Sequence, residues 1–142
     1  MIDFSTLDVP GPTVTDLSRP FWDAVSQGRL EIQHCTSCDK AVFYPRPICP
    51  HCWANALEWR TAGGKGKLTS FTQIWKPGHP GWLPAVPYYV GLVQLDEGPT
   101  MLSHIIDEQQ APCVGDEVVF TPVRTASHTL PFFTKMNPTR GR

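Results

Sequence analysis

The feature that most constrains this chain is a repeated Cys-x-x-Cys motif, Cys35/Cys38 and Cys49/Cys52, with ten residues between the two pairs. Two residues between thiols let one tight turn aim both sulfurs at a single ion, and a second such turn completes a tetrahedron with metal–sulfur distances near ~2.3 Å. Four cysteines so placed form the signature of a zinc ribbon. A closed tetrathiolate leaves no coordination position for water or substrate, so the expected ion is structural, one per chain, and no catalytic residue is assigned at it. Zinc is the ion this donor set favours, with rubredoxin-type iron as the alternative and a redox dithiol ranked last. His34 and His51 adjoin the thiols but are expected outside the ligand set. Cys113, alone after Pro112, reads as a small packed hydrophobe.

Length and composition bound the rest. A chain of 142 residues builds one main core with at most a small satellite. A hydrophobic content of 41%, with five Trp and seven Phe, is too high for a disordered tail. No apolar run approaches the ~20 residues of a membrane helix, and the segment from Met1 to Thr15 has neither a basic start nor an apolar stretch, so no membrane partner and a cytoplasmic address are expected. The formal charge of −1 argues against a dedicated nucleic-acid binder. Positive charges nevertheless cluster in two stretches, Arg60, Lys65, Lys67 and Lys76 in one and Arg124, Lys135, Arg140 and Arg142 in the other, which could share a face for an anionic ligand.

The pattern along the chain predicts a mainly β protein with three parts. Residues 1–17, dotted with Pro10, Gly11 and Pro12, read as an extended arm that frays or lies on a partner. Residues 18–61 read as an N-terminal helix and the zinc ribbon. Ser18 is the candidate N-cap, Pro20 suits the first turn, Phe21 and Val25 share a face, and Gly28 supplies a stop. Phe21 and Trp22 give so short a helix more apolar surface than it can seal, so it packs on the ribbon or on another subunit. Alternation over 29–33 predicts the strand entering the first knuckle, Val42 to Tyr44 its return, and Leu57 to Trp59 the exit.

Residues 62–142 read as a five-stranded Greek-key barrel of OB-fold size. The strands are expected at 66–75, 88–95, 100–106, 117–124 and 131–135, with a turn at Asp96-Glu97-Gly98. The stretch 107–114 is too short for the long helix that this fold usually carries there. Residues 76–87 hold four prolines and two glycines around Trp82 and Leu83. An aromatic anchor on such a loop suits a partner interface or a lid, against the alternative that the pair folds back to plug the barrel's open end.

Other signals carry less. The run Ala62-Gly63-Gly64-Lys65-Gly66-Lys67 lacks the spacing of a phosphate loop and precedes a strand where that motif needs a helix. His79, His104 and His128 have no nucleophile or carboxylate pair beside them and read as structural. Barrel aromatics such as Phe71, Trp75 and Tyr89 leave a single-stranded nucleic-acid module as the alternative function.

The assembled order carries a resemblance. Phe21-Trp22 and Gly28-Arg29-Leu30 precede Cys35-Thr36-Ser37-Cys38 and Tyr44-Pro45-Arg46-Pro47-Ile48-Cys49-Pro50-His51-Cys52. Gly66 to Thr72, Pro87 to Gly98 and Val114 to Phe120 follow. This resembles the acyl-CoA-associated family of zinc-ribbon/OB-fold proteins, formerly a domain of unknown function, over residues 18–135. The resemblance implies Cys35, Cys38, Cys49 and Cys52 as zinc ligands. It also implies a non-catalytic subunit that binds and supports a CoA-thioester enzyme, whether a thiolase-like acyltransferase, an aldolase of sterol-carrier-thiolase type or an acyl-CoA hydratase, in lipid- or steroid-type metabolism. Phe21, Trp22, Trp82 and Leu83 are then the candidate interface residues, and acyl-CoA itself a possible ligand. Asp39 departs from the glycine that usually follows the second cysteine, which places a question on the shape of that knuckle.

Overall fold

The computed structural model describes residues 3–107 and 110–136. A 3-10 turn (Phe4–Thr6) precedes helix α1 (Arg19–Ser26). Strands β1 (Glu31–Cys35), β2 (Ala41–Val42) and β3 (Leu57–Thr61) form an antiparallel sheet in the order β2-β1-β3. Strands β4 (Lys65–Ile74), β5 (Tyr88–Leu95), β6 (Thr100–Ile106), β7 (Glu117–Arg124) and β8 (Thr129–Lys135) close into a barrel in the order β4-β5-β6-β8-β7. The barrel is that of an OB-fold, antiparallel throughout except for the β6–β8 pair.

Local chemistry explains most of these elements. Pro20 lies in the first turn of α1, where its missing N–H costs nothing. Ser18 sits at the N-cap but does not cap the helix. Its Oγ instead accepts the Thr15 N–H at 3.0 Å, and Thr15 Oγ1 accepts the Ser18 N–H in return at 3.2 Å. Gly28, at φ +84°, turns the chain out of the helix, which a side chain would resist. β4 serves both sides of the barrel because its register shifts between Leu68 and Ser70, and such a bulge bends the strand. Gly91 lies opposite: a Cβ there would stand 2.6 Å from Leu68 Cδ1 and 2.8 Å from the Ser70 carbonyl oxygen.

One core joins helix, ribbon and barrel. Phe21 and Val25 of α1 and Leu30 and Ile32 of the ribbon are buried with Leu68, Val93, Met101, Ile105, Val118 and Phe133 of the barrel. Phe21 is therefore interior, and the expectation that it faces a partner is corrected: the barrel of the same chain covers it. The arm is corrected in the same way. Leu7 and Val9 are buried with Ala85, against Phe4, Trp82, Tyr88 and Leu130, so this segment lies on its own barrel. The Leu7 carbonyl accepts the Ala126 N–H at 3.0 Å, and Gly81 approaches the Asp8 carbonyl so closely that a Cβ would lie 2.2 Å from it.

Smaller differences have equally local causes. β2 ends at Val42 rather than Tyr44 because the chain then turns to meet Gln33, whose buried amide bonds the Arg46 backbone. The proline-rich loop contains a six-residue 3-10 helix, Pro80–Ala85, whose first turn is held by His79 Nδ1 accepting the Gly81 N–H at 2.9 Å. No helix occurs among the described residues of 107–114. Cys113 is exposed rather than packed, with its N–H given to Asp116 Oδ2.

Candidate metal centre and neighbouring surfaces

The ribbon folds as two copies of one turn. In the first, the Cys35 N–H donates to the Lys40 carbonyl at 2.9 Å and the Asp39 N–H donates to the Cys35 carbonyl at 2.9 Å. In the second, the Cys49 N–H donates to Ala54 at 3.1 Å and the Trp53 N–H donates to the Cys49 carbonyl at 2.9 Å. Amides also point at the leading sulfurs: Cys38 N–H at Cys35 Sγ (3.5 Å) and His51 N–H at Cys49 Sγ (3.3 Å). Asp39 and Trp53 both adopt the left-handed region, φ +65° and +67°. Aspartate tolerates that region, so the missing glycine leaves the first knuckle intact. The Asp39 carboxylate is additionally bonded to His34 Nε2 at 2.7 Å, so that histidine is turned to Asp39.

Together the turns bring Cys35, Cys38, Cys49 and Cys52 to one point. Their Sγ atoms all lie within 4.8 Å of one another, with Cys35–Cys52 at 3.6 Å and Cys38–Cys49 at 3.7 Å. A tetrahedral ion with bonds near ~2.3 Å needs sulfur–sulfur edges of about 3.8 Å, which the Cys35–Cys52 and Cys38–Cys49 pairs already match, with the other pairs within 4.8 Å. Burial and the neighbouring thiols push Cys38 up to about 12. Burial also opposes the thiolate at Cys49, but the Cys52 and His51 N–H groups outweigh it and bring that thiol down to about 7. The cluster thus sets a thiol that ionises readily, Cys49, beside one that holds its proton, Cys38, and a bound metal ion would favour the thiolate at both.

Around this centre the other candidate residues are dispersed. Trp22 is half-buried and lines an apolar groove of about 460 Å³ with Leu17, Tyr44 and Leu102. Trp82 and Leu83 part company. Trp82 folds onto an aromatic stack, with ring centroids 5.4 Å from Tyr88 and 5.8 Å from His104, while Leu83 is 56% exposed. His104 is sandwiched between Tyr88 (4.9 Å) and Phe132 (4.3 Å), and burial lowers it to about 4. The basic stretches do not assemble into one free face: Arg60 pairs with Glu58, Lys135 pairs with Asp116, and Arg140 and Arg142 lie outside the described residues. Among the described residues no helix is long and apolar enough to cross a membrane.

Two features escaped the sequence. Exposed Leu102 of β6 and Leu92 of β5 stand directly opposite each other, and the Leu102 N–H donates to the hydroxyl of exposed Tyr44 at 3.2 Å. A second cavity, of about 760 Å³, opens between the ribbon and the β5–β6 turn, with Lys40 and Arg46 in its wall.

Comparisons with known proteins agree with this architecture. Residues 22–58 match the ChsH2 rubredoxin-like zinc ribbon domain and residues 59–121 the ChsH2 C-terminal OB-fold domain. The chain is 36% identical over 94 residues to a DUF35 domain-containing scaffold protein of Methanothermobacter thermautotrophicus, covering 63% of this chain and 70% of that protein. It is 33% identical over 99 residues to a probable enoyl-CoA hydratase alpha subunit of Thermomonospora curvata, covering 68% of this chain but only 30% of that longer protein. Among solved structures, a chain described as the Ltp2-ChsH2(DUF35) aldolase superposes with a TM-score of 0.78 at 29% identity, over 89% of this chain and 100% of that one.

Proposed function

Because this chain belongs to the DUF35 family of ChsH2-type zinc-ribbon and OB-fold proteins, we propose that it is a non-catalytic subunit that docks on and supports a CoA-thioester enzyme. The partner is an aldolase or thiolase-like subunit, or an acyl-CoA hydratase, and the complex works in the cytoplasm. The observation that carries this reading is the match over nearly the whole fold to the chain described with the Ltp2 aldolase. The hydratase and scaffold names of the other relatives support it. The ion we assign to the four cysteines is zinc, one per chain. It would hold the two knuckles against each other, and a filled sulfur tetrahedron gives it no further chemistry.

The surface we assign to the enzyme partner runs from Leu92 and Leu102 across Tyr44 to the groove beside Trp22. Large apolar side chains exposed together on a monomer mark a protein contact, and aromatic residues at the edge of a groove are favoured anchors. Leu83 would be a second contact, and Trp82 would act by holding the segment that carries it. The test is affinity purification from native extract, with nuclease treatment and mass spectrometry. Recovery of an aldolase, thiolase-like or hydratase subunit in fixed proportion is expected. Recovery of nucleic-acid proteins alone, lost on nuclease treatment, would overturn the reading.

A further inference from the structure

The cavity between the ribbon and the β5–β6 turn adjoins the apolar groove beside Trp22, with Phe43 lining both, but it differs in carrying charge, and its charged residues are held in unequal ways. Its volume, about 760 Å³, suits a small-molecule ligand. The two acids in its wall are already engaged: Asp39 is bonded to His34, and Glu97 Oε2 accepts the Gly63 N–H at 2.9 Å. The two cations are not. Among the described residues neither Lys40 nor Arg46 has a carboxylate within pairing distance.

Arg46 is, however, firmly placed. Gln33, only 4% exposed, accepts the Arg46 N–H at 2.7 Å through Oε1 and donates Nε2–H to the Arg46 carbonyl at 2.9 Å. A buried amide that gives both its groups to one residue's backbone fixes where that side chain begins. Lys40 is fixed on the facing knuckle, where its carbonyl accepts the Cys35 N–H. Phe43 and Pro50 complete the wall with apolar surface. Two cations on rigid mounts, without acidic partners, above a partly apolar cavity are a receptor for a phosphate-bearing molecule.

We propose that this cavity binds the phosphate groups of a small molecule, with Arg46 and Lys40 as the contacting cations. A nucleotide and the nucleotide end of a CoA thioester share that chemistry. Only the choice between them depends on the function proposed above, because the cavity is tested with small molecules and the partner by co-purification, and either can fail alone.

The experiment is calorimetric titration of the metal-loaded full chain at low ionic strength, with inorganic pyrophosphate, adenosine 5′-diphosphate and CoA as separate probes. Saturable one-to-one binding that weakens with salt is expected. Arg46→Ala and Lys40→Ala should each weaken it by about tenfold or more, the loss of one charge-assisted contact, with metal content unchanged. Arg124→Ala, exposed at the far end of β7 and outside the cavity wall, should leave it unchanged. CoA binding more tightly than adenosine 5′-diphosphate would identify a CoA compound as the source, and equal binding would identify a nucleotide. Absence of saturation with all three probes, or equal affinity in the Arg46→Ala/Lys40→Ala double variant, would overturn the proposal.

Discussion

Asp39 and Trp53 occupy the same backbone position in the two halves of the ribbon: each follows the second cysteine of its pair, each has a positive φ near +65°, and each donates its N–H to the carbonyl of the leading cysteine. Trp53 is 80% exposed, so its side chain adds little packing there and the backbone conformation dominates its substitutions. Trp53→Gly should preserve thermal stability and metal content. Trp53→Ile should cost about 1–2 kcal/mol, because a β-branched residue resists the left-handed region. Equal unfolding midpoints for the two variants in denaturant would refute this account of the knuckle.

Loss of one ligand should reach well beyond the ribbon. Cys49→Ser removes a thiolate from a closed site, and metal binding to such sites contributes on the order of 10 kcal/mol or more. Leu30 and Ile32 share a core with Val93 and Phe133, so the barrel should lose stability as well. Metal analysis and denaturant unfolding report the two effects. A folded variant retaining one equivalent of metal would contradict the ligand assignment.

His104 predicts an acid-sensitive fold. Burial lowers it from 6.5 to about 4, so between these values the unfolded chain binds a proton that the folded chain refuses. Its contribution is complete above pH 6.5 and is lost as the pH falls towards 4, amounting to about 3 kcal/mol at most. His104→Phe should flatten the stability profile across that window while keeping the stack on Phe132. An unchanged slope would show that other groups govern it.

Trp82 and Leu83 should separate by assay. Trp82 lies against Tyr88 and His104, so Trp82→Ala should cost about 1–3 kcal/mol of monomer stability. Leu83→Ala should cost less than about 0.5 kcal/mol, as exposed positions do. The same logic applies to Leu102→Glu. It should leave the monomer's unfolding midpoint in place and weaken capture of the enzyme partner at least about tenfold, the expectation for a hot spot. Undiminished capture would remove Leu102 from the interface.

What could be read from the sequence was what neighbouring residues decide among themselves. The cysteine spacing is two local turns, and the strands over 88–95, 100–106 and 117–124 follow from alternation and from the turn at Asp96-Glu97-Gly98, so these elements form where they were expected. What escaped depends on partners far along the chain. Gln33 looks like any polar strand residue until Arg46 returns beside it. Trp82 looks exposed because the rings that receive it come from β5, β6 and β8. Lys40 and Arg46 lie outside both basic stretches, and only the closure of the ribbon onto the β5–β6 turn makes them neighbours of one cavity.

The buried arm also says something about the order of assembly. Leu7 rests against Leu130 and accepts the Ala126 N–H, contacts that span roughly 120 positions of chain. During synthesis Leu7 emerges from the ribosome long before the β7–β8 hairpin that supplies its seat. Trp82, Tyr88 and Ala85 can receive it earlier, but its burial is complete only when that hairpin forms, so an early stretch of the polypeptide is among the last to reach its final packing.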